Sequence, residues 1–310
     1  MLIKVLGSAA GGGFPQWNCN AVTSRAAWSG VIQEKARTQS SLAVSGDGET
    51  WVILNASPDI RQQIISAPQL HPRADGALRN SPIAAVVLTN ADVDHVAGLL
   101  SLRENQRFSL FAADRVLSVL ASNSIFNVLS PDVVTRIPLT IDVPLALRHE
   151  GRELGVMIEP FVVPGKIALY LEDAREGPSF GTREGDTIGL AIRAPGSGRT
   201  CFYIPACAAV DANLMQRLKG AHVVFFDGTL YVDDELVTQG LSTKTGKRMG
   251  HISMSGPDGS MAALASLDIG HRIFIHINTS NAALLEGSPE RRAVEAAGWE
   301  IAFDGMEVRL

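Results

Sequence analysis

Three observations predict an α/β fold. Apolar, β-branched runs of strand length alternate with segments of helical pattern along most of the chain. Ionisable residues recur where those runs end: Asp92, Asp94 and His95 after residues 83–88, Asp227 after 222–226, and His276 after 272–275. Side chains gathered at strand ends are how an open α/β sheet builds a site. Finally, 310 residues, 46% of them hydrophobic and 19% charged, can bury a large core.

The elements follow in order. Residues 2–6 read as a first strand that runs into Gly11-Gly12-Gly13. That glycine loop is no P-loop, since no Gly-Lys-Ser/Thr follows; it is either a tight turn or a place where backbone approaches a ligand closely. Residues 38–44 and 51–56 pair as strands around Gly46-Asp47-Gly48. Ser57-Pro58-Asp59 caps a helix start. The buried strand 83–88 leads into Thr89-Asn90-Ala91-Asp92-Val93-Asp94-His95-Val96-Ala97-Gly98, and a helix is expected from Leu99. A strand at 108–111 and a helix over 114–129 come next. Residues 156–163 form a strand that ends in Pro164-Gly165-Lys166, and 172–185 read as a polar surface loop. Strands at 187–192 and 201–205, a short helix at 214–218 and the strand before Asp227 follow. A helix is expected to begin at Gly250-His251 and continue through Met261, Leu264 and Leu267. The strand before His276, a helix at 289–297 and strands at 299–303 and 306–310 close the chain. Neither repeat nor linker interrupts it, so one domain spanning 1–310 is expected.

Composition narrows the function. A net charge of −5 with no basic stripe argues against a nucleic-acid partner. No apolar run approaches the roughly 18 residues of a membrane span, so no membrane insertion is expected. The N-terminus lacks the basic and long apolar regions of a signal peptide. Three cysteines, Cys19, Cys201 and Cys207, are an odd and sparse set that suits a reducing compartment; a cytoplasmic location is expected.

Two carboxylates and an imidazole within four residues, at Asp92, Asp94 and His95, suit a metal or acid–base site. The plainer alternative is an Asx-rich turn with a solvated histidine. His251 is either an acid–base residue or a packed helix residue. His71 reads as a surface residue, His222 and His271 as structural, and Cys207 as a small buried hydrophobe.

The order and spacing of several segments resemble the metallo-β-lactamase fold. Asn90-Ala91-Asp92-Val93-Asp94-His95 has the spacing of its His-x-His-x-Asp-His motif, and Val163-Pro164-Gly165-Lys166 is similar to its Pro-Gly-His turn. Asp227-Gly228-Thr229 resembles its bridging-aspartate strand, Gly250-His251-Ile252-Ser253 the Gly-His-Ser segment of its ribonuclease Z branch, and Phe274-Ile275-His276 its last ligand strand. More narrowly, residues 7–20, Arg37 to Ser41, Asn278 to Asn281 and Asp304-Gly305-Met306 resemble the coenzyme PQQ synthesis protein B family along the whole chain.

The resemblance implies an αββα sandwich, two mixed sheets with outer helices. It also implies that the first metal of a two-metal site has been lost, because Asn90, Asp92 and Lys166 stand where three histidines would. A lysine ammonium has no lone pair to donate; Lys166 is expected to fill part of that space and pair with Asp92. The second metal would be held by Asp94, His95 and His276, with Asp227 as a fourth ligand. Two histidines and a carboxylate suit Fe(II), and the same donors hold Zn²⁺. The family implies a role in making pyrroloquinoline quinone: hydroxylation, with iron and O₂, of the tyrosine ring of a peptide-derived Glu-Tyr precursor, His251 moving protons. Its competitors are a zinc hydrolase that trims the precursor peptide and a carrier that aids transport of the finished quinone to the periplasm. The implied partner is thus a small peptide-derived substrate or quinone intermediate; a homodimer is compatible with this reading. The family's Cys-x-Cys-x-x-Cys cluster is reduced here to Cys19, with Ala21 and Ser24, so no structural zinc is expected.

Overall fold

Residues whose side chains are apolar at consecutive positions need cover on both faces of their sheet. A computed structural model, which describes residues 1–30 and 36–310, supplies that cover. The strands are β1 (Leu2–Gly7), β2 (Ser41–Ser45), β3 (Trp51–Leu54), β4 (Ile83–Val87), β5 (Phe108–Ala113), β6 (Val134–Leu139), β7 (Leu145–His149), β8 (Arg152–Val162), β9 (Ile188–Arg193), β10 (Cys201–Ile204), β11 (Val223–Asp227), β12 (His271–Ile275), β13 (Trp299–Ile301) and β14 (Glu307–Arg309). Among the described residues they form two mixed seven-stranded sheets. One runs β14-β1-β2-β3-β4-β5-β6 and the other β13-β12-β11-β10-β9-β8-β7.

The sheets pack face to face. Leu42, Val52, Leu54 and Val87 of the first meet Ile158, Leu190, Tyr203, Phe225 and Ile273 of the second in one buried cluster. Alternate residues point outward, as the pleat requires. Ile53, Val86 and Leu110 pack with Ile60, Val116 and Leu120 of outer helices. Phe202, Val224, Phe226 and Phe274 pack with Leu214, Leu218 and Val294 on the other side. This is the αββα sandwich that the resemblance implied. Each fully buried side chain of this size contributes about 1.5–3 kcal/mol. Among the described residues no helix is long and apolar enough to cross a membrane.

Several expected elements shift. The helix expected from Leu99 starts earlier, as Val93–Val96, and continues as a 3₁₀ segment Ala97–Leu102, so Asp94 and His95 lie within the first turn. The helix expected over 114–129 divides into Asp114–Ser122 and a 3₁₀ turn Ser124–Val128. The long helix expected from Gly250-His251 does not form. A short helix, Gly246–Met249, instead ends on Gly250 in the left-handed region (φ 87°), and the next is only Ser260–Ala263. Glycine at that position is the usual helix stop, and Gly256 and Pro257 prevent an early restart. His251 therefore follows a helix C-terminus rather than opening a helix. The polar segment 172–185 is also more ordered than a plain surface loop: it holds a 3₁₀ turn, Ala174–Ser179.

One glycine locks the motif onto the sheet. Gly98 donates to Ala56 O at 2.9 Å, while Ala56 N donates to His95 O at 2.8 Å. A Cβ at position 98 would stand 2.0 Å from Ser57 O and 2.7 Å from Ala56 O. Those are backbone atoms just beyond β3 and cannot rotate away. Gly98→Ala should destabilise the protein by about 3 kcal/mol, read as a lowered urea midpoint, because overpacking here forces the backbone apart. A wild-type midpoint would show that this approach is not needed.

Candidate metal centre

The two sheets contribute to one site at a shared edge. In the second sheet β10, β11, β12 and β13 run parallel, and Asp227 and His276 lie at the ends of β11 and β12. In the first, β4 ends in the motif loop. The two ends are joined directly: Ile188 N donates to Thr89 O at 2.9 Å, and Asn90 bridges to Thr187. The glycine loop closes the same corner. Ala10 N donates to Ile277 O at 2.8 Å, and a Cβ on Gly11 would lie 3.6 Å from Asp94 Oδ2. Its close backbone approach is thus to the motif carboxylate.

Asn90 organises the motif. Its Oδ1 accepts from His95 Nδ1 at 2.6 Å and from Asp92 N at 3.1 Å, and its Nδ2 donates to Asp92 Oδ2 at 2.9 Å. An amide oxygen can only accept, so Nδ1 of His95 carries the proton and Nε2 carries a lone pair. That Nε2 is buried and has no hydrogen-bond partner. Burial pushes the His95 imidazolium down to about 4, against the pull of Asp94.

His276 completes a triad. It stands one residue past β12 with φ 62°, a left-handed conformation that costs a non-glycine residue of the order of 1 kcal/mol and is concentrated at functional positions. Thr229 Oγ1 donates to Asp227 Oδ1 at 2.6 Å, so its oxygen accepts from His276 Nδ1 at 2.8 Å. His276 Nε2 faces Asp94 Oδ2 at 2.9 Å. Although burial opposes ionisation of both, the contact with Asp94 raises the His276 pKa, and His95 and His276 hold the Asp94 carboxyl below the usual carboxylate range. One ligand atom each from Asp94, His95 and His276 lie within 4.8 Å of one another. A buried nitrogen lone pair without a partner, beside a second imidazole and an ionised carboxylate, fits a divalent metal.

Asp227 and His251 form an adjoining pair. His251 Nδ1 donates to Asp227 Oδ2 at 2.7 Å, and its ring stacks on His276 at 5.3 Å. Asp227 also accepts from Cys207 N at 2.8 Å and from Thr229 N at 3.0 Å. Atoms of Asp227, His251 and His276 also come within 4.8 Å of one another, so the two groupings share His276.

The expected Lys166–Asp92 pair is not formed. Lys166 Nζ donates to Glu172 Oε1 at 2.5 Å, and Asp92 is taken up by Asn90. Burial, then the charge of Asp94, pushes the Asp92 pKa up to about 6. Among the described residues, no grouping of three candidate ligands includes Asp92. Sequence reasoning missed Glu172, placed in a surface loop, and Thr229, whose hydroxyl ties Asp227 to His276. Asn90 was read only as a lost ligand. Of the remaining residues, Cys207 is buried as expected, and Cys19 Sγ accepts from Ala21 N at 3.4 Å. His71 is exposed, and His222 and His271 bond Thr200 N and Glu300 away from the site.

A twisted pair of mixed sheets with acidic and histidine ligands at their common edge is the architecture of metallo-β-lactamases. The beta-lactamase superfamily domain matches residues 50–277. Over 309 residues, 99% of each chain, the sequence is 55% identical to a coenzyme PQQ synthesis protein B of Rhodopseudomonas palustris (strain TIE-1). It is 51% identical over 310 residues, 100% of each, to that of Xanthomonas euvesicatoria pv. vesicatoria. The crystal structure of Zn(2+)-bound PqqB from Methylobacterium extorquens superposes with a TM-score of 0.93 at 49% identity, covering both chains fully. The chain belongs to the coenzyme PQQ synthesis protein B family. A diphosphatase of the PhnP family, 19% identical with a TM-score of 0.66 over 99% of this chain and 96% of its own, shares the fold.

Two predictions follow from the geometry. Asn90→Ala removes the acceptor that fixes the His95 tautomer, so divalent metal affinity should fall about 10–100-fold in a chelator competition; unchanged affinity would show that the bond does not orient the ligand. The second concerns acid stability of the metal-free protein. His95 has a folded pKa of about 4 against 6.5, so it contributes stability that is lost as pH falls across that window. Asp92, with a folded pKa of about 6 against 3.8, has the opposite sign and gains stability as pH falls from 6 to 3.8. Asp92→Asn should therefore lose stability more steeply than the parent between pH 6 and 4 in urea titrations. Parallel curves would contradict the assignment.

Proposed function

We propose that the protein acts in pyrroloquinoline quinone biosynthesis as a metal-dependent enzyme that hydroxylates the tyrosine ring of a peptide-derived Glu-Tyr precursor. Family membership supports the pathway. The observation that carries the chemistry is the buried, unpartnered His95 Nε2 beside His276 and Asp94, with Asn90, Asp92 and Lys166 where a second metal would need ligands. His95 Nε2, His276 Nε2 and Asp94 would hold one Fe(II), which on binding supplies activation of O₂ and redox capacity. A hydrolase of this fold draws on two metals to generate and clamp its nucleophile; a site with one set of ligands favours oxidation.

The chain's own residues then have distinct work. Asn90 and Thr229 fix the two imidazoles through their Nδ1–H groups, leaving both Nε2 atoms for the metal. Asp227 orients His251 in preference to serving as a fourth ligand, because both of its oxygens already accept protein hydrogens. His251 Nε2, on the side of the ring away from Asp227, accepts a proton from the phenol or returns one to the product. The Gly11 backbone lies against the Asp94 carboxylate. Zn²⁺ fits the same donors, and the relative with bound zinc supports that metal as the alternative, with peptide hydrolysis as its reaction.

The test is anaerobic loading with Fe(II) or Zn²⁺, followed by a crosslinked Glu-Tyr peptide, a two-electron reductant such as ascorbate, air and mass spectrometry. A gain of one or two oxygens with iron supports the hydroxylase. A cleavage product with zinc overturns it, as would tight binding of the quinone that survives His95→Ala with no turnover, the signature of a carrier. His251→Gln should lower kcat about 10²–10⁴-fold while leaving metal content unchanged; loss of metal would make it a ligand instead.

A further inference from the structure

The segment after β8 sets one carboxylate between two cations, next to the residue that precedes His251. Glu172 Oε1 accepts from Lys166 Nζ at 2.5 Å and from Arg248 Nη1 at 3.0 Å; Oε2 accepts from Arg248 Nη2 at 2.7 Å. The Arg248 guanidinium also lies 3.7 Å over the Phe180 ring. The cluster carries one net positive charge in a chain of net charge −5. It adjoins the catalytic pair, because Lys166 packs on Gly250, the residue before His251: a Cβ there would meet Lys166 Cβ at 2.8 Å.

The donors are under-used. A lysine ammonium offers three N–H groups and a guanidinium five. Among the described residues Lys166 spends one and Arg248 two, all on Glu172. The two-pronged Arg–carboxylate contact is the geometry by which proteins recognise carboxylate ligands. The segment carrying Glu172 is lightly held. Tyr170 OH donates to Ala91 O at 2.8 Å and Ile167 N to Thr182 Oγ1 at 3.0 Å, but Gly177, Gly181 and Gly185 are all left-handed and residues 174–177 are exposed.

We propose that Lys166 and Arg248 form a carboxylate-binding subsite whose internal occupant is Glu172, and that a carboxylate of an aromatic ligand entering the metal site takes its place. The ligand class rests on the reading given under Proposed function: the quinone and a Glu-Tyr precursor both carry carboxylates on or beside an aromatic ring. Exchange of one charge-assisted pair for another is nearly balanced, so Glu172 acts as a competitor that sets affinity and rejects uncharged aromatics. Phe180 keeps the guanidinium plane in place during the exchange.

The test uses the full chain, pyrroloquinoline quinone and its trimethyl ester as probes, and titration calorimetry. The parent should bind the acid about tenfold tighter than the ester. Glu172→Gln should tighten the acid about threefold or more and leave the ester unchanged, since a neutral amide releases both cations. Arg248→Gln should weaken the acid about tenfold, to the level of the ester. If Glu172→Gln does not fold, Glu172→Asp, which keeps the charge and shortens the reach, should tighten the acid to a lesser degree. Acid binding that is unchanged or weaker in the Glu172 variants overturns the proposal, as does a parent that binds acid and ester alike. A parent that binds neither overturns this subsite, while the biosynthetic reading is decided separately by the turnover assay with the Glu-Tyr peptide.

Discussion

A buried imidazole nitrogen with nothing to bond is the constraint on which this structure turns. Burying a polar atom without a partner costs on the order of 1–3 kcal/mol, and the fold could have avoided it by turning His95 over. Asn90 prevents that: its amide oxygen takes the Nδ1–H at 2.6 Å and leaves Nε2 bare. Asn90, at a position the resemblance gives to a metal ligand of the wider fold, instead orients the neighbouring imidazole.

The sandwich exists around that corner. His95 comes from the first sheet and His276 from the second, so neither sheet alone holds the triad. Contacts between Thr89 and Ile188, and between Ala10 and Ile277, fasten the sheet edges together there. The left-handed His276 is a local strain that the surrounding packing holds in place, and Gly98 lets the motif sit against the backbone beyond β3. Thr229 links the two functions of the site. Its hydroxyl hydrogen goes to Asp227, which holds His251, and its lone pair receives His276. His276 and the Asp227–His251 pair are therefore positioned by one side chain.

Much of this was legible in the sequence, and the gaps have physical reasons. Strands such as β4, β11 and β12 announce themselves because doubly covered strands are apolar without alternation, and their polar ends expose Asp94, Asp227 and His276 as site residues. Short helices were misplaced because their limits depend on single left-handed glycines; Gly250 ends a helix that periodicity alone would begin. The pairing of Lys166 went astray for a different reason. Glu172 and Arg248 are 76 positions apart, and only the fold reveals that they meet beside Lys166. Asn90 shows the limit most clearly, since its residue type signals a lost ligand while its new bond is visible only in three dimensions.

The account stands on a single metal held by Asp94, His95 and His276. Anomalous diffraction from crystals of the iron-loaded protein tests this most directly. One peak per chain, within bonding distance of His95 Nε2, His276 Nε2 and Asp94, with Asp227 still bonded to His251, is the predicted result. Two peaks bridged by Asp227, the second touching Asp92, would contradict it and restore the two-metal site of the wider fold.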